Sequence, residues 1–288
     1  MATPVGVRQM ELESWVGREE TSEDRIDARP AAALAATLDL DPEAALAPGE
    51  LPPLWHWVYF TPRTRRSGLG EDGHARRGGF LPPVDLPSRM WAGGRLVFHR
   101  PLHIGEVAHR RSRILRCEAR EGRSGPLVFV TVRHLVSGEA GLAIGEEHDI
   151  VYRTRIARDA PPAGEPAPTQ AAFRRSWRPD PVLLFRYSAL TFNGHRIHYD
   201  HPYATQVEGY PGLVVHGPLI ATLLMETFRA ARPLARASRF DYRALGPLYD
   251  TEAFDACVEI TAAGGGRLWA DCAGRMTMKA EVGFAEPS

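Results

Sequence analysis

Residues 185–224 of this 288-residue chain read FRYSALTFNGHRIHYDHPYATQVEGYPGLVVHGPLIATLL. Apolar residues recur with helical spacing in the last part and onward to Phe228, which predicts a buried helix over Gly217–Ala231. The polar residues Asn193 and His198 lie one short loop before this helix. An imidazole, an amide and the N–H groups of a helix start can together move a proton and stabilise negative charge. We therefore expect a catalytic site at the start of this helix.

Each of the three residues has its own part in that site. His198 is suited to act as a base because imidazole titrates near neutral pH, and Asn193 can hold a water molecule while staying neutral. Gly217 exposes its backbone N–H at the helix start, where the helix dipole favours negative charge. Taken singly, they also fit a structural histidine near a helix end, an Asn-Gly turn and chain geometry before Pro218. Their combination favours addition of water to, or its removal from, an activated carbonyl compound.

Outward from this stretch, the chain shows a similar order of helices and strands in its two halves. Strands are predicted over residues 94–99, 106–118, 127–136, 147–156, 173–178, 254–260 and 268–278, with a turn and then a strand over 51–60. Helices are predicted over 29–38 and from Asp180-Pro181 onward, where Asp suits the N-cap and Pro the first turn. Residues 61–94 are rich in Gly, Pro and Arg, and we expect a long ordered loop there.

A proline-rich segment separates the two halves. Residues 157–170, ARDAPPAGEPAPTQ, contain four prolines, which disfavour regular structure and keep a chain extended. The predicted organisation is a first unit over 1–156, a linker over 157–170 and a second unit over 171–288. Antiparallel strands with few helices place both units in the α+β class.

Composition excludes several classes of function. The 35 basic and 35 acidic residues cancel, so no basic surface for nucleic acid is expected. No stretch reaches the roughly 20 apolar residues of a membrane helix, and the N-terminus lacks the apolar core of a signal peptide. Cys117, Cys257 and Cys272 lack metal-site spacing, and we interpret them as buried thiols of a cytoplasmic protein.

Other kinds of site fit less well. His195, His198 and His201 are spaced three apart, which spreads them around a helix instead of bringing them together, so we expect no metal. Gly93-Gly94 and Gly264–Gly266 match no nucleotide fingerprint, and the second run suits a hairpin turn. A Gly-x-Ser-x-Gly nucleophile motif is absent. The arginine runs 63–66 and 110–113 fit a solvated surface, or contact with phosphates.

The stretches TFNGHRIHYDHPYA and GYPGLVVHGPLIATLL resemble the MaoC-like hydratase/dehydratase pattern, in which D-x-N-P-I-H-x-D precedes the helix of a hot-dog fold. The whole chain resembles the subgroup with two hot-dog units, which holds type 2 3-hydroxyacyl-thioester dehydratases and mesaconyl-C4-CoA hydratases. WVGREE, LPPLWHWVYF, GGFLPPVDLPSRMWAGGRLVFHRPL and GEEHDIVYR fit its degenerate first half. The resemblance implies two tandem units, each an antiparallel sheet wrapped around a helix.

The resemblance also assigns residues. His198 matches the catalytic histidine and Gly217 the backbone donor to the oxyanion, whereas Asn193 stands where the pattern has aspartate. His195 stands on the pattern's asparagine and Arg196 on its proline. Since an amide transfers no proton, Asn193 is assigned to positioning water. The substrate is expected to contact Tyr187, Thr191, Val215 and His216, together with Arg89 and Trp91 of an RMWAGG loop that faces the acyl tail.

The implied substrate is a short enoyl thioester of coenzyme A, with mesaconyl-C4-CoA as the specific expectation and Arg89 as a partner for a substrate carboxylate. Alternatives are a 3-hydroxyacyl-dehydratase acting on acyl carrier protein, an acyl-CoA thioesterase on the same fold, and a non-catalytic binder of acyl thioesters. No cofactor beyond the thioester itself is expected. Assembly stays open, with a homodimer among the possibilities.

Overall fold

The computed structural model describes residues 11–122, 125–154, 164–261 and 264–286. Within these ranges the helices are α1 (Ala28–Thr37), α2 (Pro42–Leu46), α3 (Pro181–Leu190) and α4 (Gly217–Ala231). The strands are β1 (Glu19–Arg25), β2 (Ser88–Phe98), β3 (Val107–Gly122), β4 (Gly125–Gly138), β5 (Gly141–Arg153), β6 (Glu165–Pro166), β7 (Phe173–Trp177), β8 (Arg236–Ala244), β9 (Phe254–Thr261), β10 (Gly265–Cys272) and β11 (Arg275–Ala285).

These strands form one antiparallel sheet that runs through both halves of the chain. Its order is β1-β3-β4-β5-β2-β8-β11-β10-β9-β7, with β6 beside β11. The halves meet where β2 pairs with β8 over Gly93–Val97. Side chains are excluded at the first two of these positions, since a Cβ on Gly93 would lie 2.6 Å from the Tyr242 carbonyl oxygen and one on Gly94 2.6 Å from the Tyr242 hydroxyl. The Gly-Gly pair therefore serves the joint between the halves.

Helix α4 is the centre of the second half. Its residues Leu219 to Phe228 are all buried, and the helix packs on β7, β9, β10, β11 and β2. The prediction for this helix is confirmed at both ends. Burial around the whole circumference is what a sheet wrapped around a helix produces, because neither side of the helix faces water.

Aspartate caps the start of α1 and of α3; the Asp180 cap was predicted, whereas the Asp27 cap and helix α2 were not. The Asp27 carboxylate accepts a hydrogen bond from the Arg29 N–H at 2.9 Å at the start of α1, and Asp180 accepts one from the Leu183 N–H at 2.7 Å at the start of α3. Helix α1 has ten residues and contacts α3. In the described part of the first half it is the longest helix, so this half lacks a counterpart of α4.

The prediction of a strand within residues 51–60 is wrong. Trp55–Val58 form a 3-10 turn, and the backbone enters the left-handed region at Leu54 (φ 71°) and Phe60 (φ 54°). The segment folds inward because Trp55 is fully buried and its Nε1 donates to the carboxylate of Glu226 on α4 at 2.8 Å. A buried partner from the other half overrides the local strand preference.

The C-terminal strands also differ from the prediction. The expected strand over 268–278 is two strands, β10 and β11, joined at Ala273 and Gly274, which have φ values of 51° and 80°. A two-residue turn with positive φ angles connects antiparallel neighbours directly. Apolar residues keep even spacing in the sequence on both sides of the turn, at Cys272, Met276 and Met278, so periodicity alone does not reveal the break. Strand β8 is absent from the sequence predictions.

Two predicted irregular segments contain strand. The RMWAGG segment at 89–94 is the first part of β2 and not a loop, so the predicted loop over 61–94 ends before Ser88. In the predicted linker, Glu165 and Pro166 pair with β11 opposite Met276 and Arg275. Residues 155–163 lie outside the described residues, and the proposed domain boundaries stay a prediction.

No described helix is both long and apolar enough to cross a membrane. The three cysteines are buried free thiols, as their spacing predicts.

Shortening a side chain on α4 tests its central place in the core. Leu223 is fully buried, so Leu223→Ala removes apolar contact and leaves a cavity, and we expect the free energy of unfolding to fall by about 3 kcal/mol. Leu234 is 73% exposed, so Leu234→Ala is the matched control, with a change within about 0.5 kcal/mol. Urea unfolding followed by circular dichroism measures both. Equal effects of the two substitutions would contradict this description of the core.

Candidate active site

One cavity of about 930 Å³ lies between the two halves of the chain. Its walls come from the 56–91 region, from β3 to β5, from residues 185–199 and from the start of α4. All of the residues predicted as catalytic or substrate-binding lie on it: His198, Asn193, Gly217, Tyr187, Thr191, Val215, His216, Arg89 and Trp91. The structure thus brings the predicted set together, while the role of each residue stays a prediction.

The imidazole of His198 is held by a backbone carbonyl. The 3-10 turn Arg196–His198 places the ring in the cavity wall, where it is 7% exposed, and its Nδ1 donates to the Val214 carbonyl oxygen at 2.7 Å. A carbonyl only accepts, so Nδ1 carries the hydrogen. In the neutral ring Nε2 is then the nitrogen with the free lone pair. That is the form a base requires.

Burial keeps this ring neutral. Removal from water lowers the pKa of His198 from 6.5 to about 4, although the hydrogen bond to Val214 works in the opposite direction. The positive charge that His74 acquires on protonation would lower the pKa further. His198 is therefore ready to accept a proton at neutral pH.

His216 stacks on His198 and connects it to α4. The two ring centroids are 3.7 Å apart with an interplanar angle of 20°. The Nε2 of His216 is 2.8 Å from the Ser188 hydroxyl, and the ring of Tyr187 lies 5.0 Å away, edge-on. Burial holds the pKa of His216 well below its usual value, so two neutral rings are stacked. His216 precedes Gly217 directly, and this stack holds the His198 ring next to the helix start.

The start of α4 is open towards the cavity. A Cβ on Gly217 would have the Trp91 carbonyl oxygen as its nearest neighbour, at 3.7 Å. The first N–H groups of a helix lack acceptors within the helix, and the dipole adds positive potential there. The segment before the helix is itself fixed, since the N–H groups of Val214 and Val215 donate to the carbonyl oxygens of Ile197 and Leu248. The geometry therefore suits binding of a negatively charged oxygen.

Asn193 and Thr191 shape the backbone next to the base. The Asn193 side-chain oxygen accepts the His195 N–H at 3.0 Å, which closes a turn. The Thr191 hydroxyl donates to the Tyr187 carbonyl oxygen at 2.8 Å, at the end of α3. Asn193 therefore has a structural role in this turn in addition to any contact that its amide makes with a water molecule.

A second group of polar residues on the cavity escaped the sequence predictions. Asp72 and His74, from the loop between the 3-10 turn at 55–58 and β2, lie against His195. The rings of His74 and His195 are 4.0 Å apart, and those of His195 and His198 are 5.3 Å apart. Ligand atoms of Asp72, His74 and His195 lie within 4.8 Å of one another, whereas His201, which the sequence analysis grouped with His195 and His198, is exposed. No sequence spacing indicated that this loop reaches the site.

A third polar group lies in the wall formed by the first half. The carboxylate of Glu146 is 3% exposed and is hydrogen-bonded to His148, to His56 Nε2 at 3.0 Å and to Trp57 Nε1 at 2.8 Å. Burial alone would raise the pKa of Glu146, but these histidines hold it well below its usual range. Trp91 connects this group to the helix start, with its ring 4.4 Å from that of His148. This part of the cavity wall therefore combines a buried carboxylate with histidine and tryptophan rings.

Comparison with known proteins decides the family. The model of "Hydroxyacyl-thioester dehydratase type 2" matches residues 54–250. The chain belongs to this family. A mesaconyl-C(4)-CoA hydratase from Chloroflexus aurantiacus is 52% identical over 244 residues, which is 84% of this chain and 86% of that protein. The predicted hydro-lyase class, acting on acyl thioesters, is confirmed.

Solved structures confirm the fold. A MaoC-like dehydratase from Phytophthora capsici superimposes with a TM-score of 0.72 at 13% identity, over 99% of this chain and 98% of that one. A Mycobacterium tuberculosis protein described as having a double hot-dog fold gives a TM-score of 0.60 at 16% identity, over 94% and 96% of the two chains. The predicted α+β fold of two hot-dog units is correct.

Acid should destabilise the protein through His198. Because its pKa is lower in the folded state, the unfolded state binds more protons between about pH 4 and about pH 6.5, so stability falls as the pH falls through this window. We expect His198 alone to reduce the free energy of unfolding by about 2 kcal/mol between about pH 7 and about pH 5. Urea titrations at the two pH values measure the difference. His198→Gln should lose that part of the pH dependence, and His201→Gln, the control, should keep it. An unchanged pH dependence in His198→Gln would show that the buried His198 ring does not cause the loss of stability in acid.

Proposed function

We propose that this protein adds water to the C=C bond of a short, carboxylate-bearing enoyl-CoA, with mesaconyl-C4-CoA as the substrate. The observation that carries the proposal is the neutral imidazole of His198, held with Nε2 free and stacked against the residue that begins α4. The 52% identity to a mesaconyl-C(4)-CoA hydratase supports the choice of acyl group and of coenzyme A as carrier. The polar wall around Glu146 favours a short polar acyl group over a long alkyl chain.

In the proposed reaction His198 Nε2 takes a proton from water as the water oxygen bonds to the β-carbon. The electron pair of the C=C bond moves to the thioester oxygen, where the N–H of Gly217 and the dipole of α4 stabilise the negative charge. His198 then returns the proton to the α-carbon as the enolate collapses. Every proton comes from water, so the reaction needs no cofactor, and the same steps in reverse remove water.

Arg89 is the proposed partner of the substrate carboxylate. It lies on β2 in the cavity wall, and its positive charge is close enough to His195 to contribute to the lowering of that residue's pKa, which burial dominates.

We further propose that the protein acts in the cytoplasm, where acyl-CoA substrates and reduced thiols are both found.

Replacing the proposed base tests the function. His198→Ala should lower kcat for hydration of mesaconyl-C4-CoA by at least about 10³-fold, because it removes the nitrogen that takes the proton from water in the proposed reaction. Loss of the enoyl absorbance follows the reaction. His201→Gln, an exposed histidine three positions away, is the control and should keep the wild-type rate.

Two outcomes would contradict the proposal. Turnover by His198→Ala close to the wild-type rate would remove His198 from the mechanism. Release of free thiol from acyl-CoA by the wild-type protein, without formation of a hydroxyacyl product, would identify a thioesterase instead.

A further inference from the structure

A loop from the first half lies directly on the catalytic segment of the second half. Gly73 has a φ of +87°, and a Cβ there would stand 1.8 Å from the carbonyl oxygen of Gly194. A Cβ on Gly194 would in turn stand 2.7 Å from the Gly73 carbonyl oxygen. Both positions therefore require glycine, because the two backbones are in contact with no space for side chains between them. The contact places Asp72 and His74 at the edge of the catalytic site.

Arg196 anchors this loop. Its backbone N–H donates to the Asp72 carbonyl oxygen at 2.9 Å, and its guanidinium donates to the Glu71 carbonyl oxygen at 3.2 Å. The related motif has proline at this position, and proline has no N–H to give. The departure from the motif at Arg196 thus supplies the hydrogen bond that docks the loop.

Asp72 orients the imidazole of His74. One carboxylate oxygen accepts the His74 backbone N–H at 3.0 Å, and the other lies 3.0 Å from the ring Nδ1. Burial alone would raise the pKa of Asp72, but the hydrogen bonds from His74 lower it to about 2, so the group is an ionised acceptor. Nδ1 therefore carries a hydrogen and Nε2 is left with the lone pair.

His74 belongs to the same row of rings as the proposed base. It contacts His195, which contacts His198, and all three line one cavity. At position 193, where the related motif has a carboxylate, this chain has an amide whose oxygen is already bonded to the His195 N–H. At the usual place for the second hydrogen of the attacking water, this chain thus offers only a neutral amide oxygen that already accepts one hydrogen bond, in place of an ionised carboxylate.

We propose that His74, oriented by Asp72, is a second catalytic residue that accepts a hydrogen bond from the attacking water. This proposal rests on the proposed hydration. One hydrogen of the water leaves to His198 Nε2, and the other stays on oxygen while it points at His74 Nε2. The oxygen bonds to the β-carbon, the π electrons move to the thioester oxygen, and His198 later gives its proton to the α-carbon. His74 gains and loses no proton, and Asp72 is a positioning residue.

The surroundings favour water over a metal ion in this group. Burial lowers the pKa values of His74 and His195, and the positive charge of Arg89 lowers both further. A guanidinium near these rings repels a cation by the same Coulomb interaction. Neutral imidazoles between the carboxylate of Asp72 and the guanidinium of Arg89 suit a water molecule.

Steady-state kinetics on the full-length protein with mesaconyl-C4-CoA tests the proposal. His74→Gln should lower kcat about 100-fold with KM changed less than about threefold, because the water is held only during reaction. Asp72→Asn should lower kcat about tenfold. The two substitutions together should be no worse than His74→Gln alone, since Asp72 acts through His74. Glu71→Gln, an exposed residue of the same loop that does not line the cavity, and His201→Gln are the matched controls and should match wild type.

Thermal unfolding of each variant separates this role from a structural one. The proposal is overturned if His74→Gln keeps the wild-type kcat, or if its loss appears only as raised KM and lowered stability. It is also overturned if a chelator abolishes wild-type activity and a divalent metal restores it. If the wild-type protein fails to hydrate the substrate, the proposed function itself is wrong. If the wild-type protein is active and His198→Ala is inactive, but His74→Gln keeps full activity, only the proposed role of His74 is wrong.

Discussion

The site depends on one hydrogen bond, from His198 Nδ1 to the Val214 carbonyl oxygen at 2.7 Å. It fixes which nitrogen of a buried ring carries the hydrogen, and therefore which nitrogen keeps a lone pair. The acceptor is itself fixed, because the Val214 N–H donates back to the Ile197 carbonyl oxygen and Val215 is bonded to Leu248. The same short segment leads into α4. A single stretch of backbone thus positions both the proposed base and the helix start that would receive negative charge.

Neither half of the chain builds this site alone. The second half supplies His198, His216 and the start of α4, whereas the first half supplies the polar wall around Glu146 and the loop that carries Asp72. Pairing of β2 with β8 joins the halves into one sheet, and Gly93 and Gly94 allow the close approach. The first half has no long helix of its own in the part described, and its strands line the cavity.

Sequence patterns were sufficient to predict those elements whose structure is determined by residues close together in the chain. Helix α4 was predicted at both ends because its apolar spacing and its Gly-Pro start are local features, and the family motif identified the cavity residues around His198. Predictions were wrong where distant partners decide: Trp55 turns inward to reach Glu226, 171 positions away. The contact of the Asp72 loop with the catalytic segment spans 125 positions between Glu71 and Arg196, and no periodicity encodes such a contact. Strand β8 was missed because its outward face is rich in arginine and only Phe240 and Tyr242 are buried.

The protonation state of His198 is the central claim, and nitrogen NMR of ¹⁵N-histidine-labelled protein tests it directly. With the His198 resonances assigned by comparison with His198→Gln, the account predicts a neutral ring at about pH 6, protonated on Nδ1 and with the chemical shift of a lone pair on Nε2. A ring that is positively charged at this pH, or neutral with the hydrogen on Nε2, would contradict it.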